Sequence, residues 1–338
     1  MPDTFTPIAT PPPSIWRPAP LVLVALVAHA AALVGVIVHP ALWPWALGAV
    51  ILSHGLLAAA SLWPRGQWLG PNLIRLPDAA IARGEVALTI DDGPDPDVTP
   101  AVLDLLDALG VQATFFCIGS RAVAYPDLCR AIVQRGHAVE NHSARHRHHF
   151  SLLGPRGYRR ELQAGQAALS AVTGCLPLFF RAPAGFRNPF LWPELARLNL
   201  CLTTWTRRGF DTRERDPATV TRRLLHNLRA GDILLLHDGH AARAASGRPV
   251  ILDVLPPLLA AVRRAGLRAV TLRAACATTP PPLPPPLSPT AAAPLQPGAM
   301  PAPELADPRL APAASRLRCE RPGPGLPRPS VVHRHRIN

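Results

Sequence analysis

The sequence predicts an α/β fold: a distorted (β/α) barrel of about seven units, preceded by a two-helix transmembrane hairpin. Three observations lead to this prediction. Residues 20–63 contain two long uncharged segments. Residues 85–276 alternate short apolar runs with amphipathic stretches, a pattern typical of repeated βα units. Polar residues follow several of these runs, and barrel active sites lie at the carboxyl ends of the strands.

The first element along the chain is the hairpin, which follows an N-terminal tail of residues 1–19. Residues 21–38 and 41–62 carry no acidic or basic charge, and each segment is long enough to cross roughly 30 Å of hydrocarbon as a helix. A cleaved signal peptide is the alternative for the first segment, but a second membrane-length segment follows it directly. Three tryptophans flank the second segment, where indoles lie at the headgroup level: Trp43, Trp45 and Trp63.

Arginines indicate the orientation of the hairpin. Arg17 precedes the first segment, Arg65 and Arg75 follow the second, and the turn between the segments has none. By the positive-inside rule, both ends and the following domain face the cytoplasm, so we predict a protein of the bacterial inner membrane in contact with membrane lipid.

Seven apolar runs in the second zone predict strands: Val86–Ile90, Gln112–Ile118, His137–Glu140, Leu178–Phe180, Leu200–Trp205, Asp232–Leu236 and Leu267–Leu272. The first intervening helix is predicted to begin with Thr99 as its cap and Pro100 at its first position. Its apolar face would contain Val102, Leu103, Leu106 and Leu109. Such an order predicts parallel strands in an open sheet or a barrel, and seven units favour the barrel.

The rest of the composition limits the classes of function. Residues 277–338 hold 17 of the 42 prolines and predict a disordered, Pro-rich tail. All 35 basic residues are arginine and the net charge is +13, yet no stretch interleaves arginine with phenylalanine or tyrosine as a base-stacking groove would require. We therefore do not expect a nucleic acid as partner. The six cysteines form no C-x-x-C pair, which argues against a zinc ribbon or a thioredoxin-like site.

Two adjacent carboxylates, Asp91 and Asp92, stand where the first predicted strand ends, and Gly93-Pro94 forces a turn after them. One carboxylate of such a pair can bind a cation while the other takes a proton from water. The alternative is an ordinary acidic turn.

The third predicted strand leads into His142 and His146, which would be neighbours on one helical turn and could reach one metal ion. Two histidines and one aspartate would leave a position for water, as in catalytic zinc sites. A solvated loop is the alternative, because His148 and His149 lie close by.

Three more polar residues follow later strands. Arg181 comes directly after two phenylalanines and needs a carboxylate partner, for which Asp91 is a candidate. Asp211 follows the fifth predicted strand, and His237 ends the sixth. A surface arginine and a core histidine are the alternatives. We expect these residues to converge with Asp91, Asp92 and His142 at one face of the barrel.

Five motifs in this order resemble the polysaccharide deacetylases with a NodB-homology domain, a family of metal-dependent carbohydrate esterases. They are T-I-D-D-G-P at 89–94, H-S-A-R-H at 142–146, R-A-P-A-G at 181–185, a segment around Asp211, and L-L-H at 235–237. The likeness covers roughly residues 85–275. It implies a distorted barrel that removes N-acetyl, and sometimes O-acetyl, groups from sugars with zinc or a similar divalent metal.

The resemblance also implies roles for individual residues. Asp92, His142 and His146 would hold the metal, and Asp91 would be the base that activates water. Arg181 would orient Asp91, His237 would be the acid, and Asp211 would tune that histidine. The backbone at Ala184 and Gly185 would help bind the substrate oxyanion.

Two departures from the family pattern concern the substrate. The family usually has an aromatic residue where this chain has Ala184. The fourth motif is commonly D-x-x-D, and here Arg208 stands in place of the first aspartate.

The sequence thus predicts a membrane-anchored hydrolase of linear, non-peptide amide bonds, acting on an N-acetylated saccharide. Two alternatives stay open. One is a deformylase or deacetylase of a lipid-linked sugar, and the other is a membrane protein that binds carbohydrate but has a dead site.

Overall fold

The structure, a computed structural model, describes residues 17–277. The predicted Pro-rich tail and nearly all of the N-terminal tail lie outside the described residues. The helices are α1 (Pro20–Val38), α2 (Trp43–Ser61), α3 (Asp78–Ala82), α4 (Thr99–Ala108), α5 (Gly119–Ala124), α6 (Pro126–Gln134), α7 (Pro155–Thr173), α8 (Leu191–Arg197), α9 (Pro217–Leu225), α10 (Val250–Arg264) and α11 (Leu272–Cys276). The strands are β1 (Glu85–Asp91), β2 (Thr114–Cys117), β3 (Ala138–Asn141), β4 (Phe179–Phe180), β5 (Cys201–Leu202), β6 (Arg207–Arg208), β7 (Ile233–His237) and β8 (Arg268–Val270).

The strands form one parallel sheet in the order β5-β4-β3-β2-β1-β7-β6, and β8 pairs with the start of β1. The sheet curls into a half-barrel with helices packed on it, which confirms the predicted α/β barrel class. Within the described part of the chain, the edge strands β5 and β6 do not pair, so the barrel stays open. This opening is the distortion that the sequence predicted.

Strand β1 shows how the sheet separates the core from the chemistry. Its side chains alternate between two faces. Val86, Leu88 and Ile90 point into the main apolar core with the buried face of α4. Thr89 and Asp91 lie on the opposite face, and both are buried there. Full burial of each large aliphatic side chain contributes about 1.5–3 kcal/mol to the free energy of unfolding. The face with Val86, Leu88 and Ile90 therefore stabilises the sheet, while the opposite face carries polar groups.

Two local predictions were wrong. Strand β6, of two arginines, was not predicted because it has no apolar run, and it forms by pairing with β7. Thr99 does not cap α4 with its side chain. Its hydroxyl oxygen accepts instead from the Asp95 N–H over 2.7 Å, and the hydroxyl donates to the buried Asp238 Oδ2 over 2.5 Å. The apolar face predicted for α4 is confirmed, since Val102, Leu103 and Leu106 are fully buried.

Helices α1 and α2 form the N-terminal hairpin. The segments Pro20–Val38 and Pro40–Ser61 are 19 and 22 residues long, with mean hydropathies of 2.8 and 1.5, and both are long and apolar enough to cross a membrane. Most of their large apolar side chains are exposed. The hairpin is tied to the barrel through Arg187, a buried side chain that donates to the carbonyl oxygens of Pro64 and Gly66.

Candidate active site

The register of the sheet brings the predicted residues to one edge. Asp91 and His237 are register partners on the adjacent strands β1 and β7. On the other side, Asn141 of β3 pairs with Phe180 of β4. The residues directly after that pair, His142 and Arg181, therefore lie side by side at the same carboxyl edge. This edge is where active sites of (β/α) barrels are found.

Asp91 and Arg181 form a buried ion pair. Arg181 Nη1 donates to Asp91 Oδ1 over 2.6 Å and to the Thr89 hydroxyl over 2.9 Å. Its other nitrogens donate to the carbonyl oxygens of Thr203 and Thr204. The guanidinium is fully buried with its carbon 4.1 Å from the centre of the Phe116 ring. Together these contacts fix the position of the Arg181 guanidinium, and its hydrogen bond in turn orients the Asp91 side chain.

His237 is paired with Asp211 through two contacts. The Asp211 carboxylate accepts from the His237 backbone N–H over 2.7 Å and faces its Nδ1 at 2.9 Å. Burial by itself would lower the pKa of His237, but the charge and hydrogen bond of Asp211 outweigh it and raise the pKa to about 9. The ring is therefore a proton donor at neutral pH, with Nε2 as its free position.

Asp92, His142 and His146 bring three donor atoms within 4.8 Å of one another. Asp92 Oδ1 lies 3.1 Å from His142 Nε2 and 3.2 Å from His146 Nε2. His142 Nδ1 is 2.8 Å from the Arg181 carbonyl oxygen, which can only accept, so in the neutral ring the lone pair of Nε2 points at Asp92. The buried Oδ1 accepts no hydrogen bond from any described residue. Lone pairs that face one another in this way fit a divalent cation between them.

The three groups differ in their electrostatics. Burial alone would lower the pKa of His142, but the carboxylates of Asp91 and Asp92 outweigh that effect and raise it, so metal binding competes with a proton at this ring. Burial and the neighbouring His142 lower the pKa of His146 to about 4, so this ring is neutral at pH 7. Burial alone would raise the pKa of Asp92, but its contacts with His142 and His240 outweigh that effect and hold the pKa well below its ordinary range. A neutral imidazole and an ionised carboxylate are the forms that bind metals.

His142 and His146 do not lie on a helical turn, so this part of the prediction was wrong. They lie on an irregular loop in which Ser143 and His146 have positive φ. Side chains replace helical hydrogen bonds here: Asn141 Oδ1 accepts from the Ser143 N–H, and Ser143 Oγ accepts from the His146 N–H. The loop still brings the two imidazole ring centres within 4.9 Å of each other.

Ala184 and Gly185 follow Arg181 in a tight turn. Ala184 has a positive φ of 55° and is exposed, and no hydrogen bond among the described residues uses its N–H. The N–H of Gly185 donates to the Ala182 carbonyl oxygen over 2.8 Å. Of the two predicted oxyanion positions, only the Ala184 N–H is therefore available.

Sequence reasoning assigned no role to several neighbours of the site. Thr89 contacts Arg181, and His240 Nδ1 lies 3.4 Å from Asp92 Oδ2. Asp238 is buried beside Thr99, and burial raises its pKa to about 7. The repeated histidine in the H-D-G-H sequence 237–240 was the one available signal for His240.

A glycine allows the loops after β1 and β7 to meet. A Cβ atom on Gly239 would lie 2.3 Å from the Asp92 carbonyl oxygen. The backbone of Gly239 therefore packs directly on the backbone of Asp92, and this contact helps to position the Asp92 carboxylate.

A half-open parallel barrel with a carboxylate and histidine cluster at its carboxyl edge defines a class of protein, the metal-dependent hydrolases built on a (β/α) barrel. The sequence profile of the polysaccharide deacetylase family matches residues 80–202. The peptidoglycan-N-acetylglucosamine deacetylase of Bacillus cereus is 30% identical over 192 residues, which cover 56% of this chain and 67% of that protein. The chitooligosaccharide deacetylase of Bradyrhizobium sp. is 35% identical over 188 residues, which cover 54% of this chain and 85% of that protein.

Structural comparison agrees with the sequence comparison. The crystal structure of a peptidoglycan N-acetylglucosamine deacetylase, in complex with a naphthalenyl N-oxidanyl-benzamide, superposes with a TM-score of 0.54 at 27% identity. The match covers 60% of this chain and 90% of that one. The chain belongs to the polysaccharide deacetylase family. It is a carbohydrate deacetylase, a hydrolase of acetyl amide bonds.

Proposed function

We propose that this protein is a membrane-anchored, zinc-dependent deacetylase that removes an N-acetyl group from a saccharide. The observation that carries the proposal is the orphaned Oδ1 of Asp92, which is buried between the Nε2 atoms of two histidines. Asp92, His142 and His146 would hold the metal. When bound, a divalent cation supplies Lewis acidity toward the acetyl carbonyl and lowers the pKa of water.

The other residues move and hold protons. Asp91, fixed by Arg181, takes the proton from the attacking water. His237, held by Asp211, gives a proton from Nε2 to the leaving amine. The N–H of Ala184 donates to the oxygen that becomes negative during attack. The acid and the base belong to adjacent strands in direct register, so both can reach one amide bond.

The test of this function is acetate release. The full chain, purified in detergent, is expected to release acetate from N-acetylglucosamine oligomers or from peptidoglycan. Dialysis against a strong chelator should abolish the release, and one equivalent of Zn²⁺ per chain should restore it, because the site offers a single three-donor cluster. A chain that binds Zn²⁺ and saccharide but releases no acetate would instead be a carbohydrate-binding protein with a dead site.

The exposed apolar surface of α1 and α2 supports anchoring. Leu23, Val24 and Ile37 of α1 are more than half exposed, as are many residues of α2, and a water-soluble domain rarely exposes a patch of this size. The histidine side chains in these helices have partners. His29 and His54 each place Nδ1 against the carbonyl oxygen four residues earlier, and their rings meet at 5.1 Å. Polar groups in the hydrocarbon core of a membrane need hydrogen-bond partners within the protein, because no water is present there.

We expect the full chain to stay in the membrane fraction after an alkaline carbonate wash, whereas a chain that begins at residue 64 should be released. A reporter fused after residue 276 should be active on the cytoplasmic side, because Arg17 and Arg65 lie at the domain end of the hairpin. Release of the full chain by carbonate would rule out anchoring, and an active external reporter would reverse the orientation.

A further inference from the structure

A cavity of about 410 Å³ adjoins the candidate active site at Ala184. Four arginines line it, Arg65, Arg207, Arg208 and Arg223, and no acidic residue is among the described residues of its wall. A wall of this composition is electropositive unless neighbouring acids neutralise it, so the surroundings of each arginine decide what charge faces the cavity.

Two of the four arginines have carboxylate partners. Arg207 Nε donates to Asp232 Oδ2 over 3.1 Å, and Arg223 Nη1 lies 3.1 Å from Glu214 Oε2. Glu214 offsets the charge of Arg223, whereas Asp232 also pairs with Arg75 and offsets the charge of Arg207 only in part.

The other two arginines, Arg65 and Arg208, have no carboxylate within 4.0 Å among the described residues. The Arg208 Nε is buried and donates no hydrogen bond there. Its guanidinium lies against two rings, 5.2 Å from the centre of Trp205 and 5.1 Å from the centre of Phe210. Arg65 is exposed and makes one long contact of 3.5 Å with the Thr206 carbonyl oxygen. Two uncompensated positive charges therefore line the same cavity.

The cavity reaches one residue of the proposed reaction, Ala184. Ala184, whose N–H is free, forms part of its wall. Trp205 contacts two arginines: the centre of its ring lies 5.9 Å from the guanidinium carbon of Arg181 and 5.2 Å from that of Arg208. We take a group bound at Arg208 and the acetamido group at the reacting residues to belong to one substrate molecule, because Ala184, a residue of the proposed reaction, lines the cavity.

We propose that Arg208 and Arg65 bind a phosphate group of the saccharide substrate. Arginine suits this ligand because its planar fork donates two parallel hydrogen bonds to phosphate oxygens, and the Arg208 guanidinium, held against two rings, has no carboxylate partner among the described residues. Arg65 comes four residues after α2 ends at Ser61, so the phosphate would be held close to the membrane surface. The inference rests on the proposed deacetylase function and names its substrate class, a glycosyl phosphate, either free or joined to a lipid.

Binding and turnover measurements on the full chain in detergent test the proposal. N-acetylglucosamine 1-phosphate is expected to bind at least about tenfold more tightly than N-acetylglucosamine in calorimetric titrations, because hydrogen bonds between charged groups are roughly twice as strong as those between neutral groups. Arg208→Gln or Arg65→Gln should remove about tenfold of this preference, and in turnover the loss should fall on KM rather than kcat. Arg160→Gln, at an exposed position on α7, is the matched control and should leave the preference intact.

Equal affinity for the two sugars, or an equal loss for both in Arg208→Gln, would overturn the proposal. A preference for the phosphate without acetate release from any substrate would refute the deacetylase function and leave the phosphate site standing. The source of the phosphate is resolved by a further arm, in which the sugar is joined through a diphosphate to a prenol chain in phosphatidylcholine vesicles. A lower KM for this probe than for the soluble sugar phosphate assigns the lipid-linked source, and an equal or higher KM assigns the free one.

Discussion

Asp91→Asn is expected to lower kcat for acetate release by roughly 10³-fold, within the range that a lost general base costs. The amide has nearly the same shape and its oxygen can still accept from Arg181 Nη1, but it cannot take a proton from water. Asp91 is outside the Asp92, His142 and His146 cluster, so the variant should still bind one Zn²⁺.

The rate of acetate release and the zinc content, both measured on the same preparation, check this expectation. Asp97→Asn is the matched control, because Asp97 is an exposed carboxylate on the loop after β1 and should keep full turnover. An Asp91→Asn protein with bound metal and full turnover would show that Asp91 is not the base.

Arg181→Met is expected to lower the free energy of unfolding by about 3–5 kcal/mol, the usual cost of removing one partner of a buried ion pair. The change leaves the Asp91 carboxylate buried without its counter-charge and leaves the carbonyl oxygens of Thr203 and Thr204 without their donor. For a domain of this size the melting temperature should fall by roughly 10 °C.

Denaturation of the full chain in detergent measures this loss, with Arg160→Met at an exposed position as the control. The double variant Asp91→Asn/Arg181→Met should lose less stability than the sum of the two single variants, because it buries no unpaired charge. Strict additivity would mean that the two side chains do not interact energetically. In its proposed role Arg181 positions Asp91 and does not touch the substrate, so its effect on turnover should fall on kcat, with KM nearly unchanged.

Much of the fold was readable from local patterns. The apolar runs that became β1, β2, β3 and β7 are regular enough to be recognised, and α4 carries a clear apolar face. Strand β6 has no such pattern. Its two arginines become a strand only because β7 offers a free edge, and no property of the pair itself indicates this.

The candidate site divides in the same way. The order of the motifs identified Asp91, Asp92, His142, Arg181, Asp211 and His237, because each follows or ends a predicted strand. The structure added the distances between them and the neighbours that fix them, such as Thr89 beside Arg181. It also replaced the helical turn expected at His142 with a loop held by Asn141 and Ser143. His240 reaches Asp92 only through the turn of the chain at Gly239.

By itself, the sequence determined the class of fold, the family and the types of chemical group at the site, since these depend on local periodicity and on short motifs in a fixed order. The sequence also singled out Arg181 among 35 arginines, but the tertiary structure alone decided how the charges of the described arginines are compensated. Arg181 is neutralised by Asp91, whereas Arg208 lies unpaired between two aromatic rings beside Ala184. The reason is physical: the fate of a charge depends on which opposite charges and how much water surround it, and residues distant in the chain supply both.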